Sequence, residues 1–428
     1  MAGGGRPLWL HGSSVGEAGS CLQLLLALRE LGLAAPAVVS AATPAGLSFL
    51  EARLQNPRGA TERPSPSPAR GFPGPYGRTQ IAAPPLDFLG APGRFLDRLD
   101  PLALLVIETE IWPELFLQCH RRGVPVLLVS ARLSRRSHRR MSFFRGFLGG
   151  VLKDVSLVAA IGRPDLGRLV DLGVRPELAA LSGSPKFDRL IAQARATLSA
   201  PSGPASSGPA ARPLVLAGST HPGEEELILD ACLGLPDPGA DLAIAPRHLG
   251  RVPAILGLAR SRGLVARTFS ETGSLSAGPG SVAVIDQMGK LSGLYRECDL
   301  AIVGGSFLSG SGHNPLEPAA AGKPVIYGPH MSSFRAEADE LESLGAATAV
   351  PPGLLPAAMA DLLSRPDQAR RAGRAGLELW AARRPGAPRL ARAIMEFRAS
   401  PGPQGQRLAR GVLGGCPGQG KPPTLPGP

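Results

Sequence analysis

The sequence predicts an α/β protein made of two doubly wound halves, each built around its own parallel sheet. Three observations support this prediction. The chain has 428 residues, of which 43% are apolar, enough for two or three domains with real cores. In both halves, apolar runs of strand length alternate with helical patterns, and Gly/Ser-rich turns follow the strands. A stretch rich in Ala, Pro, Ser and Gly at residues 194–212 separates the halves as a linker.

Composition narrows the class of function. The net charge is +12, and arginine carries nearly all of the positive charge because only five residues are lysine. Gly (55) and Pro (45) are also frequent. Such a composition is typical of biased codon usage, so the net charge is weak evidence for a function. The basic balance favours anionic partners such as phosphates or lipid headgroups. Aromatic residues make up only 4%, which disfavours base-stacking platforms, so no nucleic acid partner is predicted. The five scattered cysteines show no zinc or disulfide spacing, and no apolar run is long enough for a transmembrane helix.

The first half begins with a predicted strand at residues 7–10, a Gly/Ser turn and a helix that ends at Gly32. Glu17 falls in the turn, near the start of this helix. That position directs a carboxylate toward the carboxyl edge of a parallel sheet, where open α/β sheets bind ligands. The carboxylate is a candidate general base. The alternative, favoured by the residues alone, is that it only complements the helix dipole.

Two further carboxylates, Glu108 and Glu110, follow a predicted strand at residues 102–107. They share a face only if the strand continues through Glu110. The alternative is that one of them caps the next helix, predicted at residues 113–121. Later in this half, a loop at residues 183–188 carries Lys186 and Asp188.

The most basic segment, residues 131–152, mixes arginine with bulky apolar side chains at helical spacing. This pattern suits contact with a membrane surface or an anionic amphiphile. It suits equally well a charged, solvent-exposed face over a core face. The residues concerned are Arg132, Arg135, Arg136, Arg139, Arg140, Met141, Phe143, Phe144 and Phe147.

In the second half, the stretch from Gly304 to Phe334 follows a predicted strand at residues 300–303. Its glycines let backbone N–H groups approach an anion, and a helix start follows. His313, Asn314 and Glu317 add polar groups, and Glu317 is suited to accept ribose hydroxyls. We therefore predict a nucleotide-binding unit here, the alternative being an ordinary βαβ crossover.

These patterns divide the chain into five parts. They are an N-terminal half (1–193), the linker (194–212), a C-terminal half (213–384), a terminal helix (385–399) and a disordered tail (400–428). A Pro/Gly/Arg-rich excursion is predicted from Asn56 to Arg78.

Eight motifs occur in one order over residues 10–334, namely LHGSSVGE, ETEIWP, ARLSRRS, GSPKFD, AGSTHPGEE, PRH, MGKL and GHNPLEPAAAGKPVIYGPHMSSF. Together they resemble the family of 3-deoxy-D-manno-oct-2-ulosonic acid (Kdo) transferases, the lipid A glycosyltransferases of Gram-negative bacteria. The resemblance implies a GT-B architecture of two Rossmann-like domains facing a central cleft. The N-terminal domain (1–193) would bind the acceptor, and the C-terminal domain (213–384) would bind the CMP-sugar. The resemblance also implies inverting transfer of Kdo from CMP-Kdo to a lipid A precursor, lipid IVA, in lipopolysaccharide biosynthesis, with no metal or other cofactor.

The same resemblance assigns roles to individual residues. Glu17 matches the family's catalytic base, and Glu108 and Lys186 match residues thought to stabilise the transition state. The residues that match the family's CMP contacts are Pro246, Arg247, Met288, Gly289, Lys290, Asn314, Pro315, Leu316 and Glu317.

The sequence departs from the family pattern in three places. No apolar membrane-anchoring segment precedes Pro7, Lys290 stands where the family usually has Glu, and Ser311 replaces a Gly. The resemblance implies a peripheral protein at the cytoplasmic face of the inner membrane, in contact with its anionic surface. Two alternatives stay open: another GT-B sugar-nucleotide enzyme, or a non-catalytic scaffold that binds anions or lipids.

Overall fold

The structure, a computed structural model, describes residues 5–55, 75–88, 90–199, 212–236, 239–276, 278–400 and 402–413. The chain divides into two compact units. The first unit is Met1–Asp188 together with Arg384–Pro428, and the second unit is Arg189–Arg383. Each unit contains one seven-stranded sheet whose neighbouring strands are parallel, as predicted for an α/β protein.

The fourteen strands of the described residues are β1 (Leu8–His11), β2 (Ala37–Ser40), β3 (Thr79–Ala82), β4 (Ala103–Ile107), β5 (Val126–Ala131), β6 (Leu157–Ala160), β7 (Ala179–Leu181), β8 (Leu214–Thr220), β9 (Asp241–Pro246), β10 (Val265–Thr268), β11 (Ser281–Val284), β12 (Leu300–Val303), β13 (Val325–Tyr327) and β14 (Ala347–Ala349). The α-helices are α1 (Val15–Glu30), α2 (Pro44–Gln55), α3 (Ala91–Leu99), α4 (Pro113–Arg121), α5 (Arg135–Ser142), α6 (Arg145–Leu152), α7 (Arg163–Asp171), α8 (Asp188–Ser199), α9 (Glu224–Leu233), α10 (Val252–Ser261), α11 (Phe269–Thr272), α12 (Leu291–Leu294), α13 (Leu316–Ala320), α14 (Arg335–Ser343), α15 (Leu355–Ser364), α16 (Pro366–Ala382), α17 (Gly386–Ala399) and α18 (Pro403–Leu413).

The sheet of the first unit has the strand order β3-β2-β1-β4-β5-β6-β7. Successive residues of β1 point to opposite faces, so Leu8 and Leu10 enter one core cluster and Trp9 enters the other. Because β2 lies on one side of β1 and β4 on the other, the strand order reverses between β1 and β4. Loops that leave the carboxyl ends of these two strands therefore flank the usual ligand crevice of a doubly wound sheet.

The sheet of the second unit has the order β10-β11-β9-β8-β12-β13-β14. Its five inner strands are buried along most of their length, as expected for parallel strands covered on both faces, whereas the edge strands β10 and β14 are partly exposed. The order reverses between β8 and β12. The loops after β8, β9, β11 and β12 thus leave the same edge of one sheet, and they carry the polar motifs of this half.

Three details differ from the sequence analysis. Strand β3 was not predicted, because its four residues follow the Pro/Gly/Arg-rich stretch. Residues 194–199, assigned to the linker, are the end of α8, and residues 403–413, assigned to a disordered tail, form α18, which packs on α17. Residues 200–211 of the linker, most of the 56–78 excursion, the end of the tail and Cys416 lie outside the described residues.

Within the described ranges, none of the helices combines the length and the apolarity that crossing a bilayer requires. The four cysteines in these ranges, Cys21, Cys119, Cys232 and Cys298, are free thiols.

Candidate functional site

The start of α1 is closed by a capping box between Ser14 and Glu17. Ser14 Oγ accepts the backbone N–H of Glu17 at 3.3 Å. Glu17 Oε2 accepts the N–H of Ser13 at 2.5 Å and that of Ser14 at 3.2 Å. This reciprocal pair satisfies N–H groups that the first helical turn leaves without a partner. Glu17 therefore does stabilise the helix start, and its other oxygen, Oε1, has no hydrogen bond recorded in the part of the chain that the structure describes.

Glu108 follows β4 with a left-handed backbone, φ = 63°, which is rare for a residue other than glycine. Its N–H donates to Val129 O at 2.9 Å, so β4 is held to β5 up to the bend. The left-handed turn directs the carboxylate to Lys186, whose Nζ donates to Glu108 Oε1. Lys186 lies in a short 3₁₀ turn, Pro185–Phe187, entered through Ser184.

The Lys186 side chain also lies against the start of α1. A Cβ built on Gly16 would be 3.5 Å from Lys186 Cε and 3.7 Å from its Nζ. The structure thus brings two of the predicted catalytic residues, Glu108 and Lys186, into contact. This pair lies beside Gly16, the residue that directly precedes Glu17, the third predicted catalytic residue.

Glu110 does not cap α4, and neither does Glu108, so the alternative that one of them caps this helix is wrong. The strand ends at Ile107, and Glu110 Oε2 instead accepts the indole N–H of Trp112 at 3.0 Å. The cap comes from Asp87, whose two carboxylate oxygens accept backbone N–H groups of the first turn of α4 at 3.3 and 2.7 Å.

His11, at the end of β1, was missed by the sequence analysis although it belongs to the LHGSSVGE motif. It is 1% exposed. Its Nδ1 lies 2.8 Å from Ser40 Oγ, which also accepts the indole N–H of Trp9 at 2.8 Å. Its Nε2 is buried without a partner. Burial lowers the pKa of His11 to about 4, against a smaller opposing effect of Glu110, so the ring is neutral at pH 7.

In the second unit, Glu224 holds the glycine-rich loop in place. This carboxylate is 1% exposed and accepts four backbone N–H groups, from His221 (3.0 Å), Gly305 (2.6 Å), Ser306 (2.9 Å) and Phe307 (2.9 Å). A buried charge needs such partners, and here the backbone supplies all of them. The AGSTHPGEE motif therefore fixes the loop after β12, a role that sequence spacing did not reveal.

Gly305 has φ = 68°, and a Cβ at this position would be 2.6 Å from His313 Cδ2. Only glycine accepts this backbone without strain and lets the ring approach so closely. The Nε2 atom of His313 lies 2.7 Å from that of His221.

The predicted nucleotide contacts at the start of α13 form a small polar network. Asn314 Nδ2 donates to Glu317 Oε1 at 3.3 Å, and Asn314 Oδ1 accepts the N–H of Leu316 at 3.1 Å. Burial raises the pKa of Glu317, while Asn314 and then Arg189 act in the opposite direction. Pro315 and Leu316 are buried, so these two contribute backbone and packing, not exposed side chains.

The other predicted nucleotide contacts lie along the same sheet edge. Pro246 ends β9, and Arg247 N–H donates to Thr220 O at 3.0 Å while its side chain is exposed. The segment from Met288 to Lys290 follows β11 and is exposed, with Met288 at 72%. Gly289 has φ = 79°, which makes the turn into α12.

The comparisons with known proteins identify the family. Residues 2–189 match the model of a family described as 3-deoxy-D-manno-octulosonic-acid transferase (kdotransferase). A 3-deoxy-D-manno-octulosonic acid transferase of Bordetella pertussis is 33% identical over 392 residues, or 90% of this chain and 85% of that one. This chain belongs to the Kdo transferase family. A second relative of the same name, from Haemophilus influenzae, is 32% identical over 262 residues, 58% of each chain.

Solved structures confirm the GT-B fold predicted for this Kdo transferase family member. A UDP-GlcNAc 2-epimerase from Neisseria meningitidis bound to UDP-GlcNAc matches with a TM-score of 0.56 at 12% identity, over 91% of this chain and 98% of that one. A glycosyltransferase from Rickettsia africae matches with a TM-score of 0.51 at 10% identity, over 92% and 98%. At such identities the likeness concerns the fold alone.

The basic segment of this Kdo transferase family member forms α5 and α6, and its phenylalanines do not form a core face. Phe143, Phe144 and Phe147 are 87%, 66% and 62% exposed. Helix α5 contains no buried residue. Its arginines are exposed too, and none of Arg132, Arg135, Arg136, Arg139 and Arg140 has an ion pair recorded among the described residues. The interpretation of a charged face over a core face is thus wrong for the three phenylalanines.

Across the described stretches of the chain, no group of three or more His, Cys, Asp or Glu side chains is arranged to hold a metal ion.

Proposed function

We propose that this protein transfers Kdo from CMP-Kdo to a lipid A precursor, lipid IVA, with inversion at the anomeric carbon. Its place in the Kdo transferase family supports the class of reaction. The observation that carries the proposal is the contact of Glu108 with Lys186 beside Gly16, next to Glu17. Three ionisable side chains from separate loops gather at the sheet edge where a doubly wound fold binds ligands.

Glu17 is the general base of this proposal. The hydrogen bonds from Ser13 and Ser14 both reach Oε2 and hold the carboxylate in one orientation. Oε1 then accepts the proton of the acceptor hydroxyl as that hydroxyl attacks the anomeric carbon. A carboxylate held by the backbone needs no reorientation at the moment of reaction, which lowers the cost of the proton transfer.

Lys186 and Glu108 stabilise the transition state. Kdo carries a carboxylate, which the Lys186 ammonium can attract, while the Glu108 carboxylate favours the positive charge that develops on an oxocarbenium-like sugar. Their mutual ion pair fixes both side chains before the substrate binds.

The second unit binds CMP through the residues at the carboxyl edge of its sheet. Arg247 attracts the phosphate, and Glu317 accepts ribose hydroxyls with Asn314 orienting it. The Met288-Gly289-Lys290 segment and the Pro246, Pro315 and Leu316 backbone complete the nucleotide contacts. The transfer needs no metal in this proposal, so activity in excess EDTA should equal that without it.

The basic segment binds the anionic cytoplasmic face of the inner membrane, where the acceptor lipid lies. Exposed phenylalanine next to exposed arginine is the combination that inserts into the interface of an anionic bilayer. This contact makes the protein peripheral and gives it access to a lipid acceptor.

Mass spectrometry of the lipid product tests the proposal. The purified protein is incubated with CMP-Kdo and lipid IVA, and the product should gain the mass of one or more Kdo units. Thermal shifts with CMP and UDP run in parallel. Protection by UDP but not CMP would favour another sugar-nucleotide enzyme of the same fold, and CMP binding without turnover would favour a non-catalytic scaffold.

A further inference from the structure

Two histidines meet at the carboxyl edge of the sheet in the second unit, and the function proposed above uses neither. His221 follows β8, and His313 lies in the loop after β12. Their Nε2 atoms are 2.7 Å apart, the ring centroids are 5.0 Å apart and the ring planes differ by 21°, so the rings meet through these two atoms. His248, which follows β9, packs edge-on against His221 at 6.1 Å.

The contact between the two Nε2 atoms limits the charge that the pair can hold. One Nε2 has to donate a proton and the other has to accept it. The pair is therefore neutral, or it carries one positive charge when an additional proton makes one ring an imidazolium. It cannot carry two while the contact persists, since both Nε2 atoms would then be donors. In the singly charged state the shared hydrogen bond is charge-assisted and hence stronger.

The groups around His313 oppose that positive charge when no anion is bound. Burial lowers the pKa of His313, and His221, Arg247 and His248 lower it further, while Glu224 raises it. The Glu224 carboxylate is already engaged, because both of its oxygens accept backbone N–H groups. Among the residues that the structure describes, no ion pair is recorded for the three histidines or for Arg247. Three imidazoles and a guanidinium without a free carboxylate favour the binding of an anion.

We propose that His221 and His313 form a proton-accepting phosphate grip, which takes up one proton from solvent when the phosphate of CMP binds beside Arg247. This inference rests on the proposed function. In the transfer, the bond between the anomeric carbon and the phosphate oxygen breaks, and its electron pair stays on that oxygen.

The phosphate thereby changes from a singly charged diester to a monoester that can carry two negative charges. A positive histidine pair beside it stabilises the charge that develops in the transition state. The acceptor's proton goes to Glu17, and the proton of the grip returns to solvent when CMP leaves.

Isothermal titration calorimetry with CMP as the probe measures the proton uptake. The full chain is titrated at pH 7.5 in two buffers that differ in ionisation enthalpy. Because a bound phosphate favours the protonated pair, we expect an uptake of about 0.5 to 1 proton per CMP. In H313Q and in H221Q the uptake should fall to near zero, and the affinity for CMP should fall about tenfold with the loss of a charge-assisted contact.

H120Q is the matched control. His120 is an exposed residue of the first unit, so this variant should keep both the uptake and the affinity of the wild type.

The possible results separate this inference from the proposed function. CMP binding without proton uptake in the wild type overturns the grip and leaves the transferase proposal standing. Uptake that persists in H313Q overturns it too, because the proton then resides on CMP or on another group. Binding of UDP instead of CMP overturns the proposed function itself.

If the variants do not fold, the pH dependence of CMP binding by the wild-type protein still tests the proposal. Proton uptake requires the CMP association constant to fall above neutral pH, by up to about tenfold per unit. A constant affinity from pH 7 to 9 overturns the grip.

Discussion

Ser14 and Glu17 hydrogen-bond each other in both directions, with Ser14 Oγ accepting from Glu17 N at 3.3 Å and Glu17 Oε2 accepting from Ser14 N at 3.2 Å. The carboxylate that we propose as the base is thus also a helix cap. Replacing Glu17 by alanine removes the carboxylate and so disturbs both roles, which means that this variant cannot separate them. An isosteric amide can, because an amide oxygen still accepts the two N–H groups but does not act as a base.

We therefore expect Glu17→Gln to keep the stability of the protein within about 0.5 kcal/mol, and Glu17→Ala to lose roughly 1 kcal/mol with the cap. Both variants should lose at least about a hundredfold in kcat, the usual contribution of a general base. Urea unfolding and a Kdo transfer assay measure the two effects. Turnover close to that of the wild type in Glu17→Gln would leave Glu17 as a cap and end its assignment as the base.

The Glu108–Lys186 pair makes a prediction about coupling. If both act on the transition state as a unit, Lys186→Met and Glu108→Gln should each lower kcat/KM about 10²- to 10³-fold, and the double variant should be little worse than either single one. Thermal stability should change little, since the pair is partly exposed and such pairs contribute about 1 kcal/mol or less. Fully multiplicative losses in the double variant would contradict a joint role.

Several strands and helices could be predicted from the sequence because their signals are local. Residues 300–303 form a strand and residues 113–121 form a helix with the predicted bounds, since an apolar run marks the first and a proline in the first turn marks the second. The position of Glu17 at a helix start follows from the same local rules.

The partners of individual polar side chains could not be predicted, because they come from distant parts of the chain. The cap of α4 is Asp87, about a turn before α3, and not the neighbouring Glu108 or Glu110. In the sequence, Glu224 is recognisable only as part of the AGSTHPGEE motif, yet its carboxylate accepts backbone N–H groups of a loop 81 to 83 positions later. Only the topology, which places β8 next to β12, brings these groups together.

Glu224 yields a stability prediction for the second unit. In Glu224→Gln, one carboxylate oxygen becomes an NH₂ group, which faces two backbone N–H donors that have lost their acceptor. Leaving buried donors unsatisfied costs about 1–3 kcal/mol each, so we expect a loss of roughly 2–6 kcal/mol and weaker CMP binding. Glu297→Gln, at an exposed position of the same unit, is the control and should unfold like the wild type. An unchanged melting temperature in Glu224→Gln would contradict the role of this carboxylate.

His11 predicts a stability that depends on pH. Its folded-state pKa of about 4 lies below the ordinary value of 6.5, so between these pH values the unfolded chain binds a proton that the folded protein excludes. Stability from this group is complete above pH 6.5 and is lost as the pH falls toward 4, by roughly 2–3 kcal/mol at pH 4.5. The variant His11→Asn, which keeps an acceptor near Ser40, should show a correspondingly smaller loss between pH 7.5 and 4.5 in urea unfolding. Equal losses in the variant and the wild type would mean that other groups cause the acid sensitivity.

The exposed phenylalanines of α6 and the turn before it make the last prediction. Because Phe143 and Phe147 are mostly solvent-exposed, replacing both by serine should change the free energy of unfolding by less than about 0.5 kcal/mol each. Binding to vesicles that contain anionic lipid should nevertheless fall more than about tenfold, since each ring that enters the interface contributes 1.5–3 kcal/mol at most. Co-sedimentation measures this loss, and 0.5 M salt should weaken the remaining binding because the arginines are screened.

The control is Leu354→Ser, at an exposed apolar residue of the second unit, which should bind vesicles like the wild type. Equal binding by the phenylalanine variant would show that the membrane contact lies elsewhere on the protein.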